Sequence, residues 1–511
     1  MRVIRCSAVF ALTVGAFSAP AALAQTATWN NTTGSWSNPA NWTPGPPADL
    51  ATSLIFGGLG AYTVTVDVQT SCGALNINNP NAVLALQSLG STTSALLAPN
   101  APTHNIVGTI QLNDYNILRF DQDCTLARPF GGPSTISLGH FGRGTVTTSF
   151  GSVVTVNPNV QISGYGTVSG GYINRGIFRG TTGSYALTLS NIVYTRENNG
   201  LIRADNGWVV ANTAVLNNAV IEVIGNGQFE INNAATFAGS TVITGRSLTY
   251  GGTLTLQGTW TNNGTHTLSG NNANSSILNV PQTSTIDGAG EFNIYGRAIV
   301  ANGATLTLGP LQTLRASYGR LFGNIICQGP VEPFAGGFGT VFEVANNLTL
   351  APTSMLRTNI YGTNSYSQIM GAGSLAAGGT LEVRIISPFR PAIGSTFVIL
   401  DLSSGISGNF TSESLPTIVD ARRYFIRKTP GRWTVVTTCV ADVASLGAAD
   451  FTRDGQLTAD DIVGYLNAFF CNNLAVADIS ALGGNPIPDG QITPDDLILF
   501  LNLFFNNCNL N

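Results

Sequence analysis

Between residues 50 and 437 the chain alternates. Stretches such as YTVTVDV, TVITG, GTLTLQG, ATLTL and NLTLAP place apolar or β-branched side chains at every second position, and NNG, GNG, GGT and ANG separate them. Period two marks a half-buried strand, and Asn-Gly pairs, here starting at Asn199, Asn206, Asn226, Asn263 and Asn302, mark its turns. Helix-length apolar periods are few. Because only 9% of the 511 residues are charged, the fold must satisfy its backbone by repetition, each strand edge pairing with the next. A parallel β-helix, or β-solenoid, does this with a narrow apolar core. At roughly 20–30 residues per rung, about 300 residues supply on the order of twelve turns. A stacked β-sandwich array would give the same alternation and stands as the alternative.

Composition excludes several other classes. The chain is 43% hydrophobic with 59 glycines, which argues against a disordered tail and for a large β-rich body. A net charge of −4 gives no electrostatic reason to expect nucleic acid or an anionic membrane as partner. Lys428 is the sole lysine, so Schiff-base and P-loop lysine chemistry have no candidate elsewhere. At the N-terminus Arg2 and Arg5 precede the apolar run AVFALTVGAF, and Ala22-Leu23-Ala24 forms a small-x-small site; residues 1–24 read as a signal peptide cleaved before Gln25. Export is the consequence, to the medium or the cell surface. No later run reaches the roughly eighteen apolar residues of a transmembrane helix. Six cysteines remain after cleavage, Cys72, Cys124, Cys327, Cys439, Cys471 and Cys508. An even number in an oxidising compartment suggests a disulfide near the C-terminus. Cys439 with Cys508 is one pairing among several, and free buried thiols are the alternative for the upstream three.

The flanks of the β region differ from its body. TATWNNTTGSWSNPANW sets Trp29, Trp36 and Trp42 among turn residues, and this segment is similar to the start of secreted bacterial β-solenoids related to autotransporter-associated strand repeats. Three aromatics over an open solenoid end would cover unpaired strand edges. A sugar-stacking platform is the competing role. At the other end Gly378 to Leu381, Gly394 to Leu400 and Gly408 to Phe410 resemble the closing module of the same proteins. The divisions expected are a cap over residues 25–58, a solenoid over 59–362 and a closing β module over 363–437.

Parallel β-helices often house polysaccharide lyases and hydrolases, so acids in the β region are candidates for catalysis. Glycoside hydrolysis needs two carboxyl groups across a sugar, and a lyase a base. Asp114, Asp121 and Asp123 lie near Arg119 and Arg128, and the histidines are His104, His140 and His266. A salt-bridged edge network is the plainer reading of that patch. LGHFGRG, with His140 and Arg143, falls short of the glycine-histidine-glycine motif of polygalacturonases.

Residues 438–511 carry the strongest chemical signal, because DGQLTADDIVGYLNAFF from Asp454 returns as DGQITPDDLILFLNLFF from Asp489. Calcium wants several oxygens at once, and an EF-hand-type loop supplies them from alternate positions around a glycine turn, ending in an acid at the twelfth. Counting Asp450 as first, Thr452, Asp454, Gln456 and Asp461 fall at ligand positions, with Gly455 at the turn and Leu457 placed to pair with its counterpart. In the second copy Asn485, Asp489, Gln491 and Asp496 take those places, but Ile487 stands third and cannot ligate through its side chain. Asp478, the counterpart of Asp442, is a substitute oxygen. An acidic turn that N-caps a helix would explain both copies without metal. Two such loops, each followed by a helix, resemble a type I dockerin. That resemblance implies calcium as cofactor and a cohesin-like protein or cell-surface scaffold as partner. Many dockerins carry Ser and Thr at the tenth and eleventh loop positions, where this chain has Ala459-Asp460 and Pro494-Asp495.

The reading is a secreted, calcium-binding β-solenoid carried or anchored through the dockerin-like segment, with a structural, adhesive or polysaccharide-contacting role. The alternatives are a dockerin-borne polysaccharide lyase or glycoside hydrolase, and a self-assembling surface fibre.

Overall fold

The computed structural model describes residues 25–508 except 48–51, 89–93, 114, 130–133, 140–143, 183, 191–195, 213–214, 233, 270–275, 296–298, 301–302, 318, 334–340, 418–420 and 448–450. The segment read as a signal peptide, residues 1–24, lies outside them. The chain is mainly β and winds as a parallel solenoid of about 13 turns. Each central turn takes three short strands. Cys124–Ala127, Ser134–Leu138 and Gly144–Thr148 make one turn, and Val153–Val156, Val160–Gly164 and Gly166–Ser169 lie over them in parallel. Val154 stands against Cys124, Ile162 against Ile136 and Val168 against Val146. The alternation predicted from the sequence is thus an in-and-out alternation repeated turn after turn. Inward columns such as Leu97, Leu118, Val146, Val168 and Leu189 are fully buried, each side chain contributing about 1.5–3 kcal/mol.

Corners close tightly where one turn meets the next. Gly164 has φ 113° and Gly166 φ 148°, and a Cβ at Gly164 would lie 2.1 Å from the carbonyl oxygen of Leu138. Only glycine fits that approach.

Polar columns also run inside. Asn174 donates its side-chain amide to Asn198 Oδ1 at 2.7 Å, Asn198 donates to Asn217 Oδ1 at 2.6 Å, and Asn217 donates to Thr241 Oγ1 at 3.0 Å. All four are buried. An amide carries both donor and acceptor, so a stack of them satisfies itself at the rung spacing.

Both ends are covered. Thr26–Trp29 pairs in parallel with Ser53–Phe56 and antiparallel with Trp42–Thr43. Trp29, Trp36 and Trp42 are buried, with Trp42 edge-on to the other two at 4.9 Å and all three packed around Phe56. At the far end parallel stacking continues past residue 363, since Ser374–Ala377 lies over Asn347–Leu350 and Thr380–Ile385 over Met355–Gly362. The pairing changes at Thr396–Leu402, which runs antiparallel to Arg432–Cys439, itself hairpinned to Arg422–Thr429.

Arg432–Cys439 leads directly into three helices, α1 (Ala459–Phe470), α2 (Leu474–Ala477) and α3 (Pro494–Phe505). Their small core includes Val440, Val443, Tyr465, Val476, Leu499 and Phe500, together with Ala421 and Cys439 from the hairpin. Cys439 and Cys508 form a disulfide. Cys72, Cys124 and Cys327 are free and buried, and Cys471 is free and exposed. Among the described residues no helix is long and apolar enough to cross a membrane.

Candidate functional site: the duplicated loop-helix module

Each long helix starts the same way. Thr458 precedes α1 and Thr493 precedes α3, and the third helical residue, Asp461 or Asp496, reaches back to accept the Thr backbone N–H at 2.7 or 2.8 Å. This is half of a capping box, and it fixes the helix start. The same carboxylates also reach across the module. Asp461 Oδ1 accepts from the backbone N–H groups of Val443 (2.7 Å) and Ala444 (2.8 Å), and Asp496 Oδ1 from those of Ile479 (2.8 Å) and Ser480 (2.7 Å).

A second pair of acids latches the loops from the opposite direction. Asp442 Oδ1 accepts from Asp454 N and its Oδ2 from Gly455 N and Thr438 Oγ1, whereas Asp478 accepts from Asp489 N and Gly490 N. A third pair follows suit, with Gly447 N donating to Asp460 and Gly483 N to Asp495, both at 2.9 Å. The repeat seen in sequence is therefore a repeat of hydrogen bonds. Asp442, Asp461, Asp478 and Asp496 are all buried. Burial above all pushes the Asp442 carboxyl up to about 6, and the nearby charge of Asp461 adds to it.

The two halves meet at equivalent positions. Tyr465 of α1 stacks on Phe500 of α3, with ring centroids 3.9 Å apart and planes at 9°. On one side the row continues through Phe469 to Phe470, on the other through Phe504 to Phe505. It ends in two largely exposed rings, Phe470 at 78% and Phe505 at 72%. Beyond their first turns the helices read IVGYLNAFF and LILFLNLFF, without a charge. Val463 and Ile498 extend the exposed apolar stripes.

Arg423 enters from the hairpin. It is 8% exposed, with Asp442, Asp478, Tyr465 and Arg453 as its electrostatic neighbours, and burial, then Arg453, lowers its pKa to about 9. Its Nη2 donates to Ala475 O at 3.5 Å, while Nη1 has no acceptor among the described residues. Arg427 donates to Asp454 O at 2.8 Å. These contacts join the module to the solenoid.

The residues predicted to ligate calcium fall into distinct places. Asp450 lies outside the described residues. Asp454 Oδ1 accepts from Gln456 N and Oδ2 from Leu446 N, and Thr452 Oγ1 donates to Ser445 Oγ at 3.0 Å. Gln456 is exposed, as are Asn485, Asp489 and Gln491; Asn485 O accepts from Ala481 N, and Asp489 Oδ1 from Gln491 N. Asp461 and Asp496 are the buried latches. Leu457 and Ile492, placed to pair as short strands, pack side chains against the module core, and no ladder joins them among the described residues. Among the described residues no group of three acids, histidines or cysteines converges as a metal cage. Alternate-position counting gave Asp442 and Asp478 only a secondary place; the recurrence of ADVASLG as ADISALG is the signal that marks them.

Within the acidic patch of the β region one ion pair forms among the described residues. Arg119 Nε lies 2.7 Å from Asp121 Oδ1, Ser149 also donates to that carboxylate, and Asp123 Oδ1 accepts from Val153 N at 2.9 Å. Asp114, His140 and Arg143 lie outside the described residues. His104 and His266 are core residues whose pKa burial lowers to about 4 and about 3. His104 Nδ1 accepts from Leu75 N, and His266 bonds Ser247 Oγ at 2.7 Å.

No family model matches the chain, and no curated protein matches it.

Proposed function

We propose that this is an exported structural β-solenoid, tethered through its C-terminal module to a protein partner and taking calcium in the loop of that module's first half. The observation that carries the tether is the pair of charge-free helix faces ending in exposed Phe470 and Phe505. A soluble module gains nothing from such rings in water, and an apolar stripe on each of two equivalent helices fits a docking surface. The resemblance to a type I dockerin supports a cohesin-like partner or surface scaffold. The leader-like N-terminus and the Cys439–Cys508 disulfide support export.

Calcium in the first half is supported by the resemblance and by the crowding of acids there: burial above all, with the charge of Asp461 adding to it, raises the Asp442 pKa, and a nearby divalent cation would favour the charged carboxylates. Asp450, Thr452, Asp454, Gln456 and Asp461 would hold it, and because the described acids do not converge as a cage, the loop would close around the ion on binding. When bound, the ion would neutralise these acids and fix the Gly455 turn. In the second half Asn485, Asp489, Gln491 and Asp496 stand in the corresponding places. Calorimetric titration of the whole mature chain, with far-ultraviolet circular dichroism in calcium and in chelator, tests this. Saturable binding that Asp454→Asn weakens at least tenfold is expected; absence of heat and an unchanged spectrum would remove calcium from the proposal. The tether is tested apart from the ion, by asking whether Phe470→Asp with Phe505→Asp releases the protein from the surface of the cells that export it.

A further inference from the structure

Outward positions of the solenoid line up from turn to turn as strictly as inward ones. Arg246–Tyr250, Thr265–Ser269, Glu291–Tyr295 and Thr313–Ser317 are successive strands of one sheet, and their last residues stand in register as Tyr250, Ser269, Tyr295 and Ser317, of which the first three face outward and Ser317 is buried. In the two preceding turns the same strand end holds Asn212 and Asn232, which follow the in-register residues Ala211 and Ile231 and share an amide hydrogen bond of 3.1 Å. Tyr250 is 41% exposed and Tyr295 46%. The six positions carry no charge. Two residues back along the same strands lie Leu248, Thr267 and Asn293, also uncharged, with Glu230 and Arg315 bounding them on either side.

The spacing narrows the class of ligand. Two rungs separate the tyrosines, roughly 10 Å at about 4.8 Å per strand, with a serine hydroxyl between them. In an extended β-linked glycan every second sugar presents the same face, so its repeat is two sugar units. The C–H face of a pyranose stacks on an aromatic ring while its hydroxyls require uncharged donors and acceptors at the rim. A charged polymer would call for arginine or acid in the tyrosine column itself, which has neither; Arg246 and the ion-paired Glu291 and Arg315 lie farther back along the same strands.

We propose that this strip binds a neutral, extended β-linked polysaccharide lying along the solenoid axis. Tyr250 and Tyr295 stack on sugars two units apart, Ser269 meets the unit between them, and Asn232 and Asn293 bond hydroxyls at the margins. The site is independent of the C-terminal module and of calcium, so neither failure implies the other.

Affinity electrophoresis and pull-down of the full mature chain on β-1,4-glucan, β-1,4-mannan, xylan and chitin, with pectate and alginate as anionic comparisons, provide the test. Retention on a neutral β-1,4-linked polymer is expected, weakened at least tenfold by Tyr250→Ala or Tyr295→Ala and restored by Tyr250→Trp or Tyr295→Trp. Tyr115→Ala, which removes a ring 66% exposed elsewhere on the surface, should change nothing. Both tyrosines point outward, so circular dichroism should show every variant folded. The proposal is overturned if no neutral glycan retains the protein, if the anionic polymers are preferred, or if the folded double alanine variant binds as well as the parent.

Discussion

The solenoid and the C-terminal module bury polar groups by different chemistry. Asn198 takes a hydrogen bond from Asn174 and gives one to Asn217, each one turn away, and Asn217 passes the chain on to Thr241. Asp461 and Asp496 only accept, and their donors are backbone N–H groups brought in from a separate segment. A repeated amide needs nothing but another rung. A buried carboxylate needs a particular loop in a particular place, and it fails if that loop moves. The first device suits a body of about 13 turns; the second suits a small unit whose loops are each held in one place.

The contrast is sharpest at Asp461. Replacement by Ala strips acceptors from Val443, Ala444 and Thr458 at once, and each orphaned buried donor costs about 1–3 kcal/mol. We expect a loss of about 3–5 kcal/mol, confined to the module. Pulse proteolysis should show cleavage within residues 440–508 while the solenoid stays intact. Simultaneous melting of both regions would mean that Arg423 and the disulfide couple them into one cooperative unit.

Acid should separate the regions by sign. His104 and His266 have folded pKa values lowered to about 4 and about 3, against an ordinary 6.5, so below pH 6.5 the unfolded chain takes up protons that the fold refuses. Their contribution to stability is whole above pH 6.5 and falls as pH drops toward 4, by up to about 3 kcal/mol for each. Asp442 runs the other way. With a folded pKa raised to about 6 from 3.8, it binds protons more readily in the fold, so its term favours the module below pH 4 and is lost as pH rises through 6. Denaturant midpoints from pH 4 to 7 in chelator, followed by tryptophan fluorescence for the solenoid and helical ellipticity for the module, measure the two slopes. His266→Gln should flatten the solenoid's slope, and Asp442→Asn the module's.

How far each region could be read from sequence follows from the same chemistry. Period-two alternation with Asn-Gly turns made the strands and their buried face legible, whereas the choice of solenoid over stacked sandwiches lies in the parallel register between turns, which local pattern does not carry. The inward amide column was not readable, because Asn174, Asn198 and Asn217 occur among many turn asparagines and only register distinguishes them. In the module the duplication and the two helices after the loops were legible, but the buried faces only in part: Tyr465, Ala468, Phe500 and Leu503 fill the core, while Phe470 and Phe505, counted to the apolar face by spacing, end outside. The direction in which Asp461 and Asp442 point was not, since an acid near a helix start serves a cap, a metal or a distant backbone equally well. Arg423 was invisible for a plainer reason: it belongs to a strand of the preceding hairpin.

The smallest expected effect lies inside the amide column. Asn198→Ala removes the acceptor for Asn174 Nδ2 and the donor to Asn217 Oδ1. Asn174 Nδ2 has a second acceptor, the carbonyl of Leu201 at 3.2 Å, whereas Asn217 Oδ1 loses its donor while Asn217 Nδ2 stays bonded to Ala219 O at 2.8 Å, so a single acceptor is orphaned. The cost should therefore be about 1–2 kcal/mol, less than for Asp461 although Asn198 is just as buried. Because turns interact mainly with their neighbours, hydrogen exchange should quicken at Arg196–Asn198 and the strands on either side, Gly171–Asn174 and Val215–Asn217, and fade beyond them. A loss as large as that of Asp461, spread along the whole solenoid, would show that the column acts as one cooperative element and that the two regions bury polarity by more similar means than their chemistry implies.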